Sequence, residues 1–225
     1  MRDMIPKAPW VQISIDVLDL QKGTRLAGMA EEAGADWVET GTPLITYHGL
    51  NAIGAIAGRC KNSPVLADLK AVDGVAKYFR EAGRQGARIA TVLGFAPDAS
   101  IREAIRGGKD GGVEVMVDLY ALSPDRLGPR AAELQALGVD YLLLHAGGDE
   151  TAADPGRDPL QGLATIVAAV SIPVGAVTFN ADQAVRAVRG GASFVVQGEP
   201  LVSAPDGFDQ LSRFIRAVKA AGGAP

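Results

Sequence analysis

The stretch Gly34-Ala35-Asp36-Trp37-Val38-Glu39 holds the signals that decide the fold. A segment rich in helix formers, Leu20 to Ala33, ends at the glycine, where a left-handed C-terminal cap is expected. A short apolar strand follows, Trp37 to Glu39, and it ends in an acid. Working outward, glycine followed by Ala or Val stands before three further strand candidates, at Gly86-Ala87, Gly138-Val139 and Gly191-Ala192. The spacings are 52, 52 and 53 residues. A regular double-unit period is what a repeated βαβα layout produces.

The full set of strand candidates is Val11 to Asp16, Trp37 to Glu39, Pro64 to Leu69, Arg88 to Leu93, Val113 to Asp118, Tyr141 to His145, Pro173 to Val177 and Ser193 to Gln197. Most are continuous apolar runs, the pattern of strands buried on both faces in a parallel sheet. Helical segments lie between them, among them Ala76 to Arg84, Arg126 to Leu137 and Ala181 to Val188. Eight such units close into a (β/α)8 TIM barrel, and closure removes the sheet edges. An open doubly wound sheet is disfavoured, because Asp16-Val17-Leu18-Asp19 stands where a glycine-rich dinucleotide loop would follow the first strand. The whole chain, residues 1–225, reads as one domain. The longest stretch without periodicity, Ala146 to Asp158, reads as a binding loop or a plain surface connection.

Hydrophobic residues make up 48% of the chain and the formal net charge is −4. That composition supports a large core and gives no broad basic field for nucleic acid. The lone cysteine, Cys60, excludes an internal disulfide and reads as a small buried hydrophobe. No apolar run approaches the ~18 residues that span a membrane. Met1 to Trp10 lacks the apolar core of a signal peptide, so a cytoplasmic enzyme is expected.

In such a barrel the chemistry sits at the C-terminal ends of the strands. Reading off what ends each strand gives Asp16, Glu39, Asp68-Leu69-Lys70 with Asp73 beyond, Thr91 with Gly94, Asp118, His145, Gly175 with Thr178, and Gln197-Gly198-Glu199. A single acid at such a place is often a helix cap or a rim salt bridge. A whole set of acids with one lysine is harder to explain that way, since caps are Ser, Thr or Asn as often as acids. Glu39 and Asp68 lie on neighbouring strands, and hard oxygen ligands with open positions suit Mg2+. Lys70, kept charged by flanking carboxylates, suits hydrogen bonding to a developing enolate oxygen. His145 suits proton transfer. His48 reads as local structure near a helix end.

These residues carry a family resemblance. Ser14-Ile15-Asp16, Glu39-Thr40-Gly41-Thr42-Pro43, Ala67-Asp68-Leu69-Lys70 with Asp73, Thr91-Val92-Leu93-Gly94, Val117-Asp118 and Leu144-His145 occur in that order. Together they resemble the orotidine 5′-monophosphate decarboxylase suprafamily, most closely its 3-hexulose-6-phosphate synthase and 3-keto-L-gulonate-6-phosphate decarboxylase branches. The Asp-x-Lys-x-x-Asp run from Asp68 to Asp73 is the most specific part. The resemblance implies a homodimer with shared active sites, Asp73 reaching into the partner's site. It implies Mg2+ held by Glu39 and Asp68, with Asp16 and Lys70 supporting the network, Asp118 on the catalytic rim and His145 handling protons. The implied intermediate is an enediolate. The synthase forms it by deprotonating ribulose 5-phosphate and adds formaldehyde; the decarboxylase forms it by losing CO2 from a 3-keto sugar acid phosphate. The segment His145-Ala146-Gly147-Gly148-Asp149 lacks the arginine that tends to follow the histidine in the decarboxylases, which favours the synthase branch.

The resemblance weakens at the last two strands, where the family grips the substrate phosphate with backbone amides. Here the chain reads Val174-Gly175-Ala176-Val177 and Val196-Gln197-Gly198-Glu199-Pro200. The Ala176 Cβ is expected to narrow the backbone approach, and Pro200 lacks an amide hydrogen. A carboxylate at Glu199 repels a phosphate by about 1 kcal/mol at 4 Å even in bulk water. Glu199 turned away to pair with a base, a substrate without a phosphate, or a barrel that binds without catalysing would each account for the departure. Thr91, Gly175, Gly198 and Glu199 are the expected substrate contacts, and Arg157 is the nearest candidate to hold an anion.

Overall fold

The repeated glycines set the frame of the barrel. In the computed structural model, which describes residues 9–223, Gly34, Gly86, Gly138 and Gly191 have φ of 101°, 97°, 99° and 97°. Only glycine enters this region without steric cost, so each one ends a helix and turns the chain into the next strand.

The strands are β1 (Trp10–Ile15), β2 (Trp37–Thr40), β3 (Val65–Ala71), β4 (Ala87–Leu93), β5 (Glu114–Asp118), β6 (Tyr141–Leu144), β7 (Val174–Val177) and β8 (Phe194–Gln197). They pair in chain order, all parallel, and β8 closes on β1. The expected strands are all present, with ends displaced by one or two residues. The helices are α1 (Leu20–Glu32), α2 (Thr42–His48), α3 (Asn51–Arg59), α4 (Val75–Arg84), α5 (Asp98–Gly111), α6 (Pro124–Leu137), α7 (Gly148–Ala153), α8 (Leu163–Ala169), α9 (Ala181–Arg189) and α10 (Gly207–Gly222). The stretch 146–158 is therefore not structureless, since α7 lies within it. His48 ends α2, and its Nε2 lies 2.8 Å from Leu18 O, a local tie as expected.

Two aspartates repeat one device in the two halves of the barrel. Asp36 Oδ2 accepts the Val11 N–H at 2.7 Å, and Asp140 Oδ2 accepts the Val115 N–H at 2.8 Å, each across 25 residues. Each follows a helix-ending glycine and satisfies an N–H at the start of the preceding strand.

The core has two parts. Outside the sheet, buried Ala, Val, Ile and Leu of both strand and helix faces form one continuous layer, with Ala176 in it. Inside the barrel Trp37, Leu66, Ile89, Met116, Tyr141, Leu143, Phe194 and Val196 pack together. Trp37 lies 5.2 Å from Trp10, 5.4 Å from Tyr141 and 5.2 Å from Phe194, ring centre to ring centre. These aromatics fill the lower barrel, and truncating one such ring to alanine typically costs about 3–5 kcal/mol. Cys60 is buried, and burial pushes its thiol up to about 11, the behaviour of a packing residue. No helix among the described residues is long and apolar enough to cross a membrane.

Candidate active site

Inside the barrel, side chains change character toward the C-terminal strand ends. Ser14, Asp16, Glu39, Asp68, Lys70, Thr91, Asp118 and His145 line one cavity of about 550 Å³. Most of the residues singled out at the strand ends thus converge, including Gly198 and Glu199 from β8.

β3 carries the centre of the site. Its ladder with β4 is irregular between Ala67 and Ala71, and Lys70 has φ 42°. A non-glycine residue held there stores on the order of 1–3 kcal/mol of strain, which packing must offset. The bend returns the Lys70 ammonium to Asp68, where Nζ donates to Oδ2, and sets it 3.7 Å from Asp118 Oδ2. Thr91 locks the bend: its Oγ1 accepts the Lys70 N–H at 2.9 Å and donates to Asp68 Oδ1 at 2.8 Å. Thr42, at the start of α2, donates to Asp68 Oδ2 at 2.7 Å. Burial opposes charge on both groups. For Lys70 the neighbouring Asp68, Asp118 and Glu39 carboxylates outweigh it and hold the ammonium well above its usual range. For Asp68 the Lys70 charge, with the Lys70, Thr42 and Thr91 donors, outweighs it and holds the carboxyl below its usual range.

Glu39 is anchored from β1. Ser14 Oγ donates to Oε1 at 2.6 Å, and Gln12 Nε2 donates to Oε2. Burial, aided by the charges of Asp68 and Asp16, pushes Glu39 up to about 8. Burial likewise raises Asp16. Glu39 and Asp68 are the residues that would hold a hard dication. Their donors are all carboxylate oxygens and both face the cavity, which fits Mg2+. No group of three His, Cys, Asp or Glu side chains suited to a metal occurs among the described residues. Two carboxylates with the remaining positions left to water and substrate is a usual Mg2+ arrangement.

On the far wall, His145 Nδ1 lies 2.8 Å from Asp118 Oδ2, and the Tyr120 N–H donates to Asp118 Oδ1 at 2.9 Å. Asp118 as acceptor assigns the proton to Nδ1 and leaves Nε2 as the basic nitrogen of the ring. The Tyr120 ring packs 5.4 Å from the imidazole.

Three expectations change, at Gly175, Ala176 and Arg157. Gly175 does not meet substrate: a Cβ there would lie 2.1 Å from the Phe194 ring, so the glycine makes room for the aromatic layer below the cavity. Ala176 faces the outer core, so its Cβ does not narrow the site; Val177, Thr178 and Phe179 line it instead. Arg157 lies in a neighbouring cavity, 3.5 Å from Glu150 Oε2. Asp73 is exposed and does not line the cavity of its own barrel. Glu199 does line the cavity, and its Oε1 accepts from the Ser203 hydroxyl; no salt bridge holds it among the described residues. Sequence reasoning missed Gln12, two residues below Ser14 on the inward face of β1, because a buried glutamine carries no motif. It also missed Tyr120, whose role rests on its backbone N–H.

A closed parallel barrel that gathers acids and one lysine around a cavity at its strand ends has the layout of a (β/α)8 enzyme. Residues 9–223 match the Orotidine 5'-phosphate decarboxylase / HUMPS family. The chain is 38% identical over 156 residues to a 3-hexulose-6-phosphate synthase of Staphylococcus epidermidis, covering 69% of this chain and 72% of the relative. A crystal structure of 3-hexulose-6-phosphate synthase from Salmonella typhimurium superposes with a TM-score of 0.86 at 26% identity, covering 95% of this chain and 100% of that one. A 3-keto-L-gulonate-6-phosphate decarboxylase from Vibrio cholerae shares the fold, with a TM-score of 0.79 at 20% identity over 95% of this chain and 99% of that one. The chain belongs to the orotidine 5'-phosphate decarboxylase / HUMPS family and is an enzyme of the lyase class.

Proposed function

We propose that the chain is a Mg2+-dependent carbon–carbon lyase of the 3-hexulose-6-phosphate synthase type. It joins formaldehyde to the enediolate of a five-carbon ketose, ribulose 5-phosphate in the synthase, or runs the reverse cleavage. The observation that carries this reading is the chain Asp68–Lys70–Asp118–His145 in one cavity, with Glu39 lining it too.

Held by Glu39 and Asp68, Mg2+ would supply positive charge that polarises the ketose carbonyl. Asp118 fixes the tautomer and orientation of His145, whose Nε2 takes the proton from the carbon next to the carbonyl. The electrons of that C–H bond form the carbon–carbon double bond of the enediolate, and the carbonyl electrons move onto oxygen. The Lys70 ammonium, kept charged by its carboxylates, donates a hydrogen bond to that oxygen. The electrons of the enediolate double bond then form the bond to the formaldehyde carbon as the ketose carbonyl is restored, the formaldehyde C=O electron pair moves onto its oxygen, and that alkoxide takes the proton back from His145. Asp16 closes the β1 side of the network.

The same reading makes the protein a homodimer in which Asp73 completes the partner's cavity. Supporting this, Asp73 is exposed outside its own cavity, next to Val72, and Tyr78 and Phe95 are exposed on the following elements. Sedimentation should report two copies per particle, and Asp73→Ala should lower turnover.

Formaldehyde consumption by the purified protein with ribulose 5-phosphate or ribulose, with Mg2+ and with EDTA, tests the reading. Consumption that EDTA abolishes is expected. Consumption unchanged by EDTA, or none with either ketose from folded protein, would overturn it.

A further inference from the structure

We infer that this cavity takes a ketose, or similar polyhydroxy carbonyl compound, whose far end is an uncharged hydroxyl and not a phosphate. The inference rests on the lyase reading above and concerns the opposite end of the same cavity. In (β/α)8 enzymes a substrate phosphate commonly sits on backbone N–H groups just after the seventh and eighth strands, beside a helix N-terminus. In this chain two of those donors, just after β7, are already engaged. The Thr178 N–H donates to Val196 O at 2.9 Å, and the Phe179 N–H donates to the Gln183 side-chain oxygen at 2.8 Å. At the start of α9, Asn180 Oδ1 takes the Gln183 N–H at 2.9 Å, and Asp182 puts an acid in the first turn. After β8, Pro200 has no N–H to offer, and Glu199 lines the cavity.

The charges point the same way. Asp16, Glu39, Asp68, Asp118, Asp149 and Glu199 line the cavity, against one lysine. That lysine is already paired with Asp68 and lies near Asp118. A dication at Glu39 and Asp68 would still leave the carboxylates in excess. Arg157 is paired with Glu150 in the neighbouring cavity. A phosphate dianion at the β7–β8 end would therefore face Glu199 and Asp16, with no basic side chain among the residues that β7, β8 and their following loops contribute to the lining. A hydroxyl suits the same place: it donates to a Glu199 carboxylate whose Oε1 is steadied by Ser203. Glu199 is thus the residue that sets specificity at this end.

The test is calorimetric titration of the Mg2+-loaded full chain with ribulose and with ribulose 5-phosphate, for wild type and Glu199→Gln. Wild type should bind ribulose about tenfold or more tightly than its phosphate. Glu199→Gln should bind ribulose 5-phosphate about tenfold better, and ribulose a few-fold worse, than wild type does. Wild type favouring the phosphate, or a ratio unmoved by Glu199→Gln, would overturn the inference. Exchange of ketose C–H protons with deuterated solvent, followed in the same samples, separates the two claims. Mg2+-dependent exchange beside a preference for the phosphate leaves the lyase reading standing and removes this one. A preference for ribulose with no exchange from either ketose does the reverse.

Discussion

The two ends of the cavity are built by different rules. At the β3–β6 end every charged group is tied to another: Lys70 to Asp68, Asp118 to His145, and Asp68 to Thr42 and Thr91. At the β7–β8 end the polar contacts are backbone groups bonded to one another or to the Thr178 and Gln183 side chains, and a single carboxylate held by a serine hydroxyl. A network of paired charges keeps its geometry while charge moves through it, which is what the proposed catalysis of an enediolate requires. The other end fixes only what fits. On the proposed function, reaction type and substrate choice are separable in this molecule, and the separation can be probed from either side.

The largest effect is expected at Lys70. Lys70→Ala should lower kcat by about a thousandfold, the scale of losing a donor to a developing oxyanion. Circular dichroism should show the fold retained. A variant within about tenfold of wild type would erase the distinction between the two ends. Asp118→Asn should cost about a hundredfold in kcat by freeing the His145 ring to take the wrong tautomer, with KM changed far less. A loss confined to KM would move Asp118 to the recognition side.

Gln12→Leu should weaken Mg2+ binding by about tenfold, measured by calorimetry on protein without substrate. Gln12 touches Glu39 from beneath the cavity, so a change in thermal stability alone, with Mg2+ affinity intact, would mean that it only packs. The smallest effect is expected across the cavity. Thr178→Val removes a hydroxyl that donates to Val196 O at 3.1 Å and should alter kcat by less than about threefold. A larger fall in kcat would show that the β7–β8 end takes part in the chemistry.

The same contrast explains what the sequence revealed. The fold was legible because helix-ending glycines and continuous apolar strands are local signals, and Gly34, Gly86, Gly138 and Gly191 each hold the backbone they imply. The charged end was legible because it consists of acids and a lysine at strand ends. The β7–β8 end was legible only in part: Gly198 and Glu199 line the cavity as expected, but its other parts depend on the depth of a residue along a strand. Gly175 and Val177 share a face of β7, yet one lies against Phe194 in the aromatic layer and the other lines the cavity. The pairing of Gly175 with Phe194 in the β7–β8 register, small against large, is the signal that separates them, and it requires knowing the register. The bond from Ser203 to Glu199 and the engaged Thr178 and Phe179 amides likewise depend on tertiary placement.

The most direct test of the central claim is deuterium uptake from solvent into the ketose carbon next to the carbonyl, with formaldehyde left out. The wild-type protein with Mg2+ is predicted to exchange this proton, and EDTA, Lys70→Ala and Asp68→Asn are each predicted to abolish the exchange. Exchange that continues undiminished in EDTA and in both variants would contradict the account.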